Sequence, residues 1–124
     1  MRVKLLVGCL VAAVVAGGSF ALAVTTTSFA GQKTVKEVMK IAHAKDGLHS
    51  KILKGMGTDE DKKQLLELYL DMAEGEPKKG DKAEFKAVAS AAMASAAKVM
   101  LGREGAIEEL TKTSDCKACH SKFK

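Results

Sequence analysis

Beyond Gly31 the chain is punctuated by three clusters of glycine and proline: Gly55-Met56-Gly57, the stretch from Gly75 through Pro77 to Gly80, and Gly102-Arg103-Glu104-Gly105. Three breaks leave four segments, each long enough for several helical turns. In the third, Phe85, Val88, Ala89, Ala92, Ala96, Val99 and Met100 recur at three- and four-residue steps, which places them on one helix face. The second aligns Leu65, Leu68, Tyr69 and Met72, with Leu66, Leu70 and Ala73 beside them; the first turns Val35, Val38, Met39, Ala42 and Ile52 inward. The fourth runs from about Ala106 through Ile107 and Leu110 to the C-terminus. Thr58 with Asp61, and Asp81 with Glu84, read as N-caps with an acidic residue in the first turn, so helices are expected to start near Asp59 and Lys82. With one proline in 124 residues and few β-branched or aromatic runs, the expected fold is an all-α, antiparallel four-helix bundle.

The charges divide the chain. All 15 acidic residues lie at or after Glu37, and the first 32 residues carry only Arg2 and Lys4. A basic tip, an apolar run from Leu5 to Val24 and a polar stretch at Thr25 to Ser28 follow the layout of a secretory signal. Ser28 and Ala30 place the cut after Ala30, so residues 1–30 are read as a signal peptide and 31–124 as the domain. The alternative is an uncleaved anchor, since Leu5 to Val24 is long enough to span a bilayer. Leu6-Val7-Gly8-Cys9 looks like a lipoprotein box, but too few apolar residues precede it, and Cys9 is assigned to the discarded leader. In either case the domain is exported, to the periplasm in a bacterial cell. It keeps 18 of the 20 basic residues against 15 acidic ones, a balance too even to imply nucleic-acid binding, and no basic stripe with interleaved aromatics supports one.

The core of such a bundle is short of large side chains. After cleavage the only aromatic residues are Tyr69, Phe85 and Phe123, and the third segment offers mostly alanine. A domain of fewer than about 100 residues has little margin between burial and chain entropy, so a bound group is expected to fill the remaining space. Cys116-Lys117-Ala118-Cys119-His120 names the group, because C-x-x-C-H is the attachment sequence of c-type haem. Two thiols a turn apart reach the two vinyl groups of one porphyrin, and the adjacent His120 is then carried under the iron as proximal ligand. A zinc site would need a fourth ligand and would find Cys119 and His120 awkwardly adjacent. A thioredoxin-like pair would need a βαβ setting, and a disulfide across two residues is strained.

With the motif in the last helix, the mature chain resembles the class II c-type cytochromes, that is cytochrome c′ and its low-spin, methionine-ligated relatives. Class I cytochromes carry the motif near the N-terminus; class II members carry it on the last helix of a four-helix bundle, in a tail like Cys116 to Lys124. In that family the first helix faces the distal side of the haem, and Met39-Lys40 and Lys54-Gly55 match its Met-Lys pair and its end without a gap. The resemblance therefore implies Met39 as sixth iron ligand. The sequence departs from the family where Val35 replaces a common arginine and in its shorter length.

Read from the residues alone, Met39 is an inward methionine that would ordinarily be core filler. Met56, Met72, Met93, Met100 and His43 are the competing ligands; His43 lies one turn after Met39 on the same face, so only one of the two can lie over the iron. His49 falls on a different face from His43 and is expected to be a partly exposed surface histidine. With Met39 bound, the chain is expected to shuttle single electrons between redox-partner proteins. With the distal site open, it resembles cytochrome c′ and takes NO or CO. An enzymatic role lacks a placed acid–base pair. Lys112, Lys117, Lys122 and Lys124 form a candidate docking patch for an acidic partner, and the family resemblance admits a homodimer.

Overall fold

A computed structural model describes residues 32–124. The leader expected over 1–30, and with it the choice between signal peptide, anchor and lipid box, lies outside the described residues. Six helices follow in order: α1 (Val35–Ala42), α2 (Leu48–Leu53), α3 (Asp59–Glu74), α4 (Lys82–Met100), α5 (Ala106–Thr113) and α6 (Cys116–Phe123). The described residues contain no strand, so the fold is all-α. None of these helices is long and apolar enough to cross a membrane.

The three glycine clusters are the breaks expected of them, and the caps at Thr58 and Asp81 start α3 and α4 at Asp59 and Lys82. Thr34 and Glu37 form a further capping box at α1, in which Thr34 holds the Glu37 carboxyl below the usual carboxylate range by hydrogen bonding. Two expected helices are each broken in two. Between α1 and α2 the chain turns at Asp46, whose φ is +59°, and at Gly47. A Cβ on Gly47 would stand 2.9 Å from the carbonyl oxygen of Ala42, so only glycine lets the chain fold back this closely. Between α5 and α6, Asp115 accepts from the backbone N–H groups of Lys117 and Ala118 and so opens a new helix at Cys116.

α3 and α4 pack on each other, α1 and α2 lie against α3, α5 lies against α4, and α2 also meets α5. The core is built from the expected faces: Leu65, Leu68, Tyr69 and Met72 of α3 meet Phe85, Ala89, Ala92, Ala96 and Val99 of α4, with Val38, Ala42 and Ile52 across from them. Met100 and Leu70 are exceptions, both exposed. Ser95 is a buried polar residue that apolar periodicity does not reveal; its hydroxyl donates to the carbonyl of Ala91 and accepts from Thr113.

The short α6 is held at its far end. Phe123 is buried and meets Phe85 edge-on, ring centroids 5.3 Å apart at 77°. Lys122 pairs with Glu84 of α4. Gly80, in the loop before α4, lies directly against this end with φ +85°, and a Cβ there would come within 2.8 Å of the Lys122 carbonyl and 2.9 Å of the Phe123 ring. Gly102 is also left-handed, φ +65°, but a Cβ there meets nothing within 4 Å. Gly102→Ala is thus expected to cost only the left-handed backbone penalty, about 1–2 kcal/mol, whereas Gly80→Ala should cost more because α6 must shift as well. Urea unfolding of the two variants measures the difference.

Candidate functional site

The helical form of Cys116–Phe123 puts Cys116, Cys119 and His120 at positions i, i+3 and i+4, on one face of α6. Cys116 is exposed and Cys119 half-buried, and both are free thiols. Burial, and after it the neighbouring Cys116, pushes the Cys119 thiol above its ordinary range. Among the described residues no three His, Cys, Asp or Glu side chains gather as a cage for a single ion.

The face of α6 opens onto two clefts of about 570 and 240 Å³. Met39, His43, Phe85, Cys119 and His120 line both. The fold therefore brings α1 and α6, at opposite ends of the domain sequence, to the two sides of one space. The smaller cleft continues inward past Cys116, Tyr69 and Met72 to Val88, Ala89 and Ala92 of α4. Here the scarcity of large side chains takes physical form: alanines stand along α4 where leucines would close the gap. The larger cleft is walled by Val35, Pro77 and Phe123 and edged by Lys36, Lys40, Lys78 and Lys124. Its one acidic side chain, Glu76, is paired with Lys82 at 2.7 Å.

Of the methionines weighed as ligands, Met56 is 63% exposed in a loop and Met100 is exposed on α4, and neither these two nor Met93 lines the two clefts. Met72 lines only the smaller one. Met39 and His43 remain, each facing both clefts from α1 or its cap. His49 is partly exposed as expected, but the helix break corrects the expectation that it lies on a separate face from His43. The turn at Asp46-Gly47 swings α2 round so that His49 is half-buried against His43, ring centroids 4.6 Å apart. Its Nε2 lies 2.7 Å from the Ser114 hydroxyl, which itself donates to the Leu110 carbonyl.

Tyr69, fully buried on α3, completes this group. Its hydroxyl and His43 Nε2 share a hydrogen bond of 3.0 Å, and the two rings are stacked, 5.7 Å apart at 11°. Burial pushes the Tyr69 hydroxyl well above its ordinary range, so it stays protonated. Tyr69, His49 and Ser114 were not among the residues singled out in the sequence as functional. The available signal was the chain's single tyrosine on a buried stripe, because a buried Tyr hydroxyl needs a partner. No family model, curated protein or solved structure matches the chain.

Burial, followed by the proximity of His49 and then of His120, pushes His43 down to about 4. The folded state thus favours the neutral ring, while the unfolded chain takes up a proton near the ordinary value of 6.5. Between pH 6.5 and 4 the unfolded state binds more protons, so the stability His43 contributes is complete above pH 6.5 and is lost as pH falls through that window. Stability should drop by on the order of 2 kcal/mol between pH 7 and pH 4 from this residue. Urea unfolding of wild type and His43→Gln across that range checks it, the variant showing the flatter dependence.

Proposed function

We propose that the chain is an exported single-electron carrier of the class II cytochrome c type, a four-helix bundle whose last helix carries one covalent haem. The observation that carries this reading is the meeting of Met39 of α1 with Cys119 and His120 of α6 across one apolar cleft. Attachment at Cys116 and Cys119 needs free thiols a turn apart on one helix face, and α6 supplies that spacing. A porphyrin is an apolar disc with carboxylates at one edge, and the cleft offers apolar walls with lysines at its rim. Its volume is within the ~300–1,000 Å³ range of cofactor pockets.

In this assignment Cys116 and Cys119 would tether the group to α6, and His120 and Met39 would be its proximal and distal iron ligands. The bound haem supplies a one-electron iron couple, whose potential a Met/His pair raises relative to two histidines. Phe85 and Phe123 would pack beside the group as apolar wall, while His120 itself is exposed on α6. Lys36, Lys40, Lys78 and Lys124 at the rim would meet the carboxylates of a bound porphyrin and favour their ionised form. Partner docking falls to the exposed lysines of the same end, where Lys112, Lys117 and Lys124 remain without an ion pair among the described residues while Lys122 is committed to Glu84.

The test is expression in a host that matures c-type haem. The wild type is expected to gain the mass of one haem, retained under denaturing conditions, and the Cys116→Ala/Cys119→Ala variant to gain none. The ferrous visible spectrum then assigns the function. Sharp low-spin bands unchanged by CO are expected of an electron carrier; a broad high-spin spectrum that shifts with CO would make the protein a gas-binding cytochrome c′.

A further inference from the structure

We infer that Tyr69 decides which side chain of the first arm reaches the haem, by holding His43 away from it; the inference rests on the haem reading above. Met39 and His43 line the same two clefts with His120, a turn apart, and compete for one position. A neutral imidazole is a good iron ligand, and His43 is half-buried and kept neutral by its surroundings, so its exclusion needs a cause. That cause is a hydrogen bond from α3. His43 Nε2, the ring nitrogen furthest from the backbone, is bonded to the Tyr69 hydroxyl at 3.0 Å. Nδ1, next to Cβ, is hindered by the side chain's own root. The ring is stacked on Tyr69 on one side and backed by His49 on another, and His49 is tied in turn to Ser114. Tyr69 is fully buried on α3, among the core residues that hold that helix in place, and has no solvent to swing into.

Tyr69 is accordingly a positioning residue, acting through His43, and Met39 is the side chain left free to bind. Tyr69→Phe keeps the packing and removes the restraint.

The experiment uses the haem-loaded protein, with covalent haem first confirmed by mass. The wild type should show the near-red ferric charge-transfer band of methionine–iron ligation. Tyr69→Phe should lose it, acquire the electron paramagnetic resonance spectrum of two imidazole ligands and show a lower midpoint potential. Adding His43→Ala to Tyr69→Phe should restore the band. With Tyr69 in place, Met39→Ala should turn high-spin and bind CO, because His43 is still held off; adding Tyr69→Phe should make it low-spin and refractory to CO. A Tyr69→Phe protein with the wild-type band and potential would overturn the inference. So would a Met39→Ala protein that is already low-spin with two imidazoles, a result that decides the matter even if Tyr69→Phe fails to fold. A wild type with two-imidazole spectra overturns it too. A wild type without covalent haem removes the haem reading itself, and the inference with it.

Discussion

The site depends on one contact, the edge-on packing of Phe123 against Phe85. α6 is eight residues long, well below the ~12–15 residues at which an isolated helix becomes even marginally stable, so Cys116, Cys119 and His120 keep helical spacing only because tertiary contacts hold the helix down. Burying a phenylalanine contributes roughly 1.5–3 kcal/mol and an aromatic pair a further ~0.5–1.5 kcal/mol. The Lys122–Glu84 pair, about half-exposed on both sides, contributes at most ~1 kcal/mol. The apolar contact wins, and the ion pair mainly sets the helix's rotation. Asp115 fixes the other end, so a cap and a single ring define where the thiols point.

What the chain leaves unfilled is as informative as what it packs. Val88, Ala89 and Ala92 of α4 face the smaller cleft, and their short side chains cannot reach across to α1. A void of this size between apolar walls forfeits the dispersion contacts that leucines would have made. The same alanines that make α4 the most regular helix in the sequence therefore leave the space between it and α1 open.

The long elements were legible in the sequence because their signals are local. Thr58 and Asp81 cap α3 and α4 where expected, and the three- and four-residue periodicity predicts the buried faces. The two breaks were not, for different reasons. Asp46-Gly47 is a lone turn signal inside an otherwise helical pattern, and its force lies in the close approach of Gly47 to the Ala42 carbonyl, which only the folded chain displays. Ser114-Asp115 is a cap signal masked by the motif that follows it. The spacing of Cys116, Cys119 and His120 places them on one face of α6, and Met39, which the resemblance picks out, lines the cleft that Cys119 and His120 also line. The placement of His49 was not legible, because a helical wheel drawn through Asp46 and Gly47 assigns it to the wrong face.

That misplacement matters chemically, since the break at Asp46-Gly47 is what assembles the polar group behind Met39. A continuous helix would carry His43 and His49 on different faces; the turn brings their rings to 4.6 Å and lets Ser114, at the other broken arm, receive His49. Two helix breaks thus meet through one histidine. Each hydrogen bond in the group contributes only about 0.5–1.5 kcal/mol net, but a buried partner left unsatisfied costs ~1–3 kcal/mol. The penalty for loosening one member exceeds the gain from forming it, which makes the group behave as a unit. Among the described residues no buried side-chain nitrogen or oxygen lacks a partner, so none of the group's fully buried polar atoms is left unpaired. A soft, three-bond methionine beside a clamped imidazole is an arrangement in which the adaptable side chain conforms to whatever occupies the cleft and the stiff one does not.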